Sequence, residues 1–91
     1  MNVEAKSITN GNAGELLAVG SAAIARGELA FDLAAVAEVD TAAIALLLEW
    51  QRQAIARGGR LVLSGVPADI VSLARLYGVD SLLDLAEQAA A

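Results

Sequence analysis

A strand, a helix and a second strand are predicted in residues 29–65, which read LAFDLAAVAEVDTAAIALLLEWQRQAIARGGRLVLSG. Leu29 to Leu33 is an apolar run of strand length, which suits a strand covered on at least one face. Residues 34–39 are predicted to be a connector that leads to the helix. Arg60 to Ser64 is the clearest strand in the chain and follows the helix directly.

The helix between these strands begins at Asp40 and Thr41, whose residue types both favour helix starts. Residues that recur at helical spacing form one stripe, which we expect to face the sheet: Ile44, Leu47, Leu48, Gln51 and Ile55. The pair Gly58 and Gly59 ends the helix, because glycine adopts the left-handed conformation at no steric cost.

An N-terminal strand and two further helices are predicted outside this unit. Asn2 to Ile8 alternates loosely and carries charges, which indicates a short strand near a sheet edge. Asn12 and Glu15 have the spacing of an N-cap and an acidic first turn, and Gly27 stops the helix that follows. Pro67 lies near the first turn of the next helix, where its missing N–H is harmless.

The C-terminal part of the sequence predicts one apolar stripe and one more short helix. The stripe, with its tyrosine expected in the core, consists of Ile70, Leu73, Ala74 and Tyr77. Asp80 or Ser81 is placed to cap the last helix, which would carry Leu82, Leu83 and Leu85.

The elements thus alternate between strands and helices along most of the chain. Parallel neighbours need crossover helices, so this order predicts an α/β fold with a mixed or parallel sheet of about four strands. The 91 residues leave no room for a second core, and we expect a single domain over residues 1–91.

The composition argues against an enzyme. The chain has no cysteine and no histidine, which removes thiolate metal sites, the commonest metal ligand and the commonest general base. No glycine-rich phosphate-binding motif occurs. We therefore predict no catalytic residue, no metal site and no cofactor.

Charge and hydropathy restrict the partners in the same way. The net charge is −5 and the six basic residues are scattered, which argues against nucleic acid. The first residues lack the order of a signal peptide, and the longest apolar run, Ala42 to Leu48, is far shorter than the ~20 residues of a membrane span. We expect a soluble, cytoplasmic protein without direct membrane insertion.

From Leu29 to Leu83 the sequence resembles the STAS domain family. The residues that carry the resemblance are Phe31-Asp32-Leu33, Val39-Asp40-Thr41, Gly58-Gly59, the strand Arg60 to Leu63, and Leu73-Ala74-Arg75-Leu76-Tyr77-Gly78-Val79-Asp80. Together with Leu-Leu-Leu-Glu-Trp at 46–50, they look most like the MlaB-like branch. That resemblance implies a cytoplasmic, non-catalytic subunit that binds the ATPase of an ABC-type phospholipid transport system. The chain is also similar to anti-sigma-factor antagonists, which bind an anti-sigma factor kinase.

The sequence departs from the family pattern in two places. STAS domains usually begin with two strands, and only one is evident before the first helix, so the family's N-terminal strand is predicted to be missing. A missing strand would leave an exposed sheet edge and favour pairing with another chain, including a second copy in a homo-oligomer. The family's Asp-Ser-x-Gly pattern reads Asp40-Thr41-Ala42-Ala43, without the glycine.

The resemblance makes Asp40, Thr41 and Ala42 candidates for the partner-binding surface. In the anti-sigma antagonists this hydroxyl position is phosphorylated, which makes Thr41 the candidate phosphoacceptor. A phosphate there would add roughly −1.5 to −2 charges at a helix start, where the dipole tolerates them. The alternative is that Asp40 and Thr41 simply cap the helix.

Leu46 and Trp50 are the remaining candidates for partner binding. They lie four residues apart on a side of the helix other than the predicted core stripe. A partly exposed Leu and Trp pair would be an interface anchor, because tryptophan often dominates binding energies. The alternative is that both side chains pack against the C-terminal helix.

Overall fold

A computed structural model describes residues 1–83 and residue 85. These described residues form a mixed α/β structure with three helices and two small parallel sheets. In chain order the elements are β1 (Ser7–Ile8), α1 (Ala13–Ala25), β2 (Ala30–Asp32), β3 (Glu38–Val39), α2 (Thr41–Ala56), β4 (Val62–Ser64) and α3 (Ala68–Leu76). The α/β class predicted from the alternation of elements is confirmed.

The strands pair in parallel, as the helical crossovers between them require. β1 pairs with β3, and β2 pairs with β4 with Phe31 opposite Leu63. The N-terminal segment also joins β2 through a bridge between Asn2 and Asp32, in which the Val3 amide donates to the Asp32 carbonyl at 2.9 Å. Pairing of a sheet edge with a second copy stays a prediction.

The predicted connector at 34–39 is wrong in its second half, because β3 lies there. Asn2 pairs with Asp32, whereas Ser7 pairs with Glu38, so the register between the two segments shifts by one residue. That shift is typical of a bulge in one of the two segments. A two-residue strand with an exposed Glu38 gives no alternating pattern, which is why the sequence does not reveal it.

All three helices end in the same way. At the end of α2, Gly58 has a φ of +82° and donates to the Ile55 carbonyl at 2.9 Å, while Gly59 donates to the Ala54 carbonyl at 3.0 Å. These two bonds form a Schellman motif, in which the left-handed residue is best a glycine. Gly27 and Gly78 end α1 and α3 with the equivalent bonds, so the stops predicted at Gly27 and at Gly58 with Gly59 are confirmed.

The core is built around α2, which contacts both α1 and α3. The buried side of α2 is wider than one stripe and comprises Ala43, Ile44, Leu46, Leu47, Trp50, Gln51 and Ala54. Gln51 is the one buried polar residue of the described part, and its amide donates to the Leu82 carbonyl at 3.0 Å and accepts from the Leu61 amide at 2.8 Å. Ile55 was expected to be buried but is 52% exposed.

The segment after α3 differs from the prediction. Residues 80–83 form turns instead of a helix, with the amides of Leu83 and Leu85 both directed to the Asp80 carbonyl. The rest of the predicted last helix lies outside the described residues. Tyr77 was expected in the core but is 54% exposed, because it stands at the C-cap of α3 where the chain turns away.

Candidate functional site

The ends of β1 and β3 bring two polar segments together. Ile8 and Val39 are paired in register, and the Asp40 amide donates to the Ile8 carbonyl at 3.2 Å. Beyond these residues the chain continues into a turn at 9–12 on one side and into α2 on the other. The carboxyl ends of parallel strands lie at one edge of a sheet, which is where α/β proteins commonly place their binding residues.

Asp40 fixes the start of α2 and also holds the neighbouring turn. Its backbone is extended, and its Oδ1 accepts from the Ala42 amide at 2.8 Å, the geometry of an N-cap. Its Oδ2 accepts from the Asn10 amide at 3.2 Å. Asp40 therefore caps the helix as the alternative interpretation expected.

Thr41 is the first residue of α2 and does not cap it. The residue is exposed, and its hydroxyl makes no hydrogen bond to another residue that the structure describes. Asp40, and not Thr41, accepts the capping bond from the Ala42 amide. The Thr41 hydroxyl therefore does not take part in capping and is accessible from solvent at the positive end of the helix dipole.

Asn12 occupies the predicted N-cap position of α1, with Glu15 in the first turn, but its side chain makes no capping hydrogen bond. The Asn12 carboxamide turns back along the chain, where its Oδ1 accepts from the Thr9 amide at 2.9 Å and its Nδ2 donates to the Ser7 carbonyl at 2.8 Å. The residue has the N-cap position without an extended backbone, which directs its side chain to the preceding turn. Asn12 thus rigidifies the turn that Asp40 contacts.

An apolar groove of about 300 Å³ lies between the first turns of α1 and α2. We call it the N-terminal groove, and its lining is Asn10, Ala13, Gly14, Leu17, Ala42, Ala45, Leu46 and Glu49. The groove exists because the facing residues Ala13, Gly14, Ala42 and Ala45 are too small to fill the space between the two helices. Two of the predicted site residues, Ala42 and Leu46, line it, and Asp40 and Thr41 directly precede Ala42 in the chain.

The expectation that Leu46 and Trp50 form a partly exposed pair is wrong. Trp50 is fully buried, and its ring packs edge-on against Phe31 with ring centroids 4.9 Å apart. Its indole N–H donates to the Leu17 carbonyl of α1 at 3.3 Å. Leu46 is 4% exposed and lines the N-terminal groove. Of the two side chains, only that of Leu46 borders a recess at the surface.

The reason for the burial of Trp50 is Gly20. A Cβ at Gly20 would collide with the indole ring, so the absence of a side chain on α1 makes room for the tryptophan. The apolar stripe of α2 alone does not reveal this contact, because Gly20 lies on α1. The signal that was missed is a glycine in the middle of a helix, which is costly unless something packs against it.

Glu49 at the rim of the groove forms an ion pair with Arg52. The guanidinium donates to both carboxylate oxygens, at 2.7 and 2.6 Å. The hydrogen bond from Arg52 lowers the pKa of Glu49 below its ordinary value, and the same bond raises the pKa of Arg52. Glu49 and Arg52 therefore form a closely bonded ion pair at the rim of the groove.

The described residues contain neither a metal-binding cluster nor a helix that could span a membrane. No group of three or more acidic residues, histidines or cysteines in the described part is placed to hold a metal ion. None of the described helices combines the length and the apolar character that crossing a membrane would require. The residues around the start of α2 offer an apolar recess, an accessible hydroxyl and a helix start.

The comparisons with known proteins point to one family. The family model described as "Mlab, STAS domain" matches residues 5–84, which include every helix and strand described above. No curated protein matches the chain.

Proposed function

Because the chain belongs to the family of MlaB-like STAS domains, we propose that it binds the ATPase of an ABC-type phospholipid transport system in the cytoplasm. STAS domains generally mediate protein–protein contacts and are generally non-catalytic. In this proposal the chain assembles or regulates the transporter, and the partner carries out the ATP chemistry. The match over residues 5–84 is the observation that carries the proposal.

We place the contact at Asp40, Thr41 and Ala42 together with the N-terminal groove. Asp40 is held by two amides, so the start of α2 is a fixed surface. Thr41 is exposed beside it, and the groove offers an apolar recess lined by Leu17 and Leu46. A rigid surface with an apolar recess loses little conformational entropy when it binds a protein.

The alternative function is that of an anti-sigma-factor antagonist that is switched by phosphorylation at Thr41. The observation that favours it is the exposed hydroxyl in the first turn of α2, which is open to a kinase. A phosphate there would be tolerated by the helix dipole but would add charge beside Asp40 and the apolar groove. Identification of the partner separates the two functions, since one requires an ABC ATPase and the other a kinase-like anti-sigma factor.

The proposal is tested by purifying the tagged chain from its native cells and quantifying what comes with it. We expect an ABC ATPase with its permease in the wild-type sample. The Thr41→Glu variant should fold normally, since an acidic residue is accepted in a first helical turn, yet recover the ATPase about tenfold less well because the charge lies at the contact.

Thr41→Ala is the matched control and should recover the ATPase as the wild type does, because it adds no charge. Normal recovery with Thr41→Glu would show that the surface at Thr41 is not the contact. Recovery of a kinase-like protein in place of the ATPase would favour the alternative function.

A further inference from the structure

A second groove lies between α1 and α2, at the opposite end from the first. It has a volume of about 250 Å³ and is lined by Ser21, Ile24, Ala25, Arg52, Gln53, Ala56 and Arg57. We call it the C-terminal groove. Each groove takes its lining from the same end of both helices, so α1 and α2 run in the same direction. The contact of Trp50 with Gly20 separates the two grooves.

The two grooves differ in charge. Among the described residues, Glu49 is the only charged one that lines the N-terminal groove, whereas the C-terminal groove is lined by two arginines. Arg52 is neutralised by Glu49. Arg57 donates to the Ala25 carbonyl at 3.1 Å and forms no ion pair within the described residues. The chain therefore presents an uncompensated cation here, although its net charge is −5.

We propose that one segment of the partner lies along both grooves, with an apolar side chain in the N-terminal groove and a carboxylate at Arg57 in the C-terminal groove. This inference rests on the proposed function and adds the chemistry of the contact. A carboxylate is the ligand that a guanidinium without an ion-pair partner favours. The apolar recess at the other end of the same helix pair indicates a protein segment, which can supply both groups.

The spacing of the grooves defines the segment. The middle of the C-terminal groove lies about nine residues further along α2 than the middle of the N-terminal groove, or about 13 Å at ~1.5 Å per residue. If the segment is a helix lying along the α1–α2 pair, its apolar residue and its acidic residue are about seven or eight positions apart, because these are the spacings nearest to that distance that place both side chains on one face. Glu49 and Arg52 lie between the two contacts and already satisfy each other.

The test compares charge changes inside and outside the C-terminal groove. Arg57→Glu and Gln53→Glu each place a negative charge in it, and Gln53→Glu does so without removing the bond of Arg57 to the Ala25 carbonyl. Arg75→Glu on α3 is the matched control, because Arg75 is exposed and lies in the last turn of its helix, while Arg57 lies at the C-cap of α2. Thermal melting confirms that each variant is folded.

The measurement is the amount of each protein recovered with the tagged variants from native cells. We expect Arg57→Glu and Gln53→Glu to lower recovery of the partner about tenfold, with Arg75→Glu unchanged. The partner should also be lost from the wild-type chain as salt is raised from about 50 to about 500 mM, because salt screens the ion pair. Arg57→Lys should retain most of the binding.

The outcomes separate the two proposals. If Arg57→Glu recovers the partner as well as Arg75→Glu does, the second contact is overturned while the proposed function stands. If the partner depends on Arg57 but is not an ABC ATPase, the contact stands and the proposed function fails. If no protein is recovered specifically with the wild-type chain, both fail.

Discussion

At the scale of single residues, the contact between Gly20 and Trp50 decides how α1 meets α2. The indole ring occupies the place where a side chain on residue 20 would stand, and its N–H is bonded to the Leu17 carbonyl. The ring also meets Phe31 of β2 edge-on. One missing side chain thus allows the largest residue of the core to join two helices and a strand.

Gly20→Ala should therefore destabilise the protein, although alanine is the better helix former. The new Cβ would overlap the rigid indole ring, and overpacking of this kind typically costs about 1–3 kcal/mol in the free energy of unfolding. Urea denaturation of the variant and the wild type measures the difference.

Gly14→Ala is the matched control in the same helix, because a Cβ there meets no atom within 4 Å. It should be neutral or stabilise the protein by up to about 1 kcal/mol through helix propensity. Equal stability of Gly20→Ala and Gly14→Ala would contradict the conclusion that the missing side chain at Gly20 makes room for the Trp50 indole ring.

At the scale of the elements, Asp40 joins three segments through short bonds. Its amide is bonded to the end of β1, and its carboxylate holds both the first turn of α2 and the turn that precedes α1. Its side chain therefore sets the position of Thr41 relative to the N-terminal groove. A loss of this cap would loosen the proposed contact as well as the helix.

Asp40→Ala should lower the free energy of unfolding by about 1 kcal/mol, within the range of 0.5–2 kcal/mol typical for a lost N-cap. Asp40→Asn should keep most of the stability, because asparagine caps as well as aspartate. Thr41→Ala should change stability little, since its hydroxyl has no partner among the described residues. If denaturation curves give Asp40→Ala the same free energy of unfolding as the wild type, the cap at Asp40 does not stabilise the protein.

The elements were predictable from the sequence where local signals act alone. The three helices, their glycine stops and the strands β2 and β4 follow from apolar spacing and from glycines at helix ends. β3 was missed because two residues carry no period, and the pairing with β1 that defines it joins residues 31 positions apart. The burial of Trp50 was missed for the same reason, since its partner Gly20 lies on another helix.

The candidate site, too, was predictable only where residues close in sequence determine its structure. Asp40 as a cap was predictable, because capping depends on neighbouring residues. The N-terminal groove was not, because it arises from small residues on two helices that become neighbours only in the fold. The sequence and its family resemblance therefore predicted the start of α2 as the candidate site but did not predict the recess beside it.

At the scale of the whole molecule, α2 connects nearly everything that the structure describes. It packs against α1 and α3, it carries the tryptophan that contacts β2, and its Gln51 bonds to the segments that lead into β4 and follow α3. A chain of 91 residues with one core centred on a single helix has little means of unfolding in parts. That residues 1–91 form a single domain stays a prediction, and we expect this domain to unfold as one cooperative unit.

Trp50 makes this expectation measurable, because it is the only tryptophan of the chain. Its fluorescence reports the packing of α1, α2 and β2, whereas far-UV circular dichroism reports the helices as a whole. We expect both signals to change at the same urea concentration, as small single domains unfold without populated intermediates. A fluorescence transition that precedes the loss of helix would show that the contact of Trp50 with α1 opens separately, and the two grooves would then belong to a mobile helix pair instead of a fixed surface.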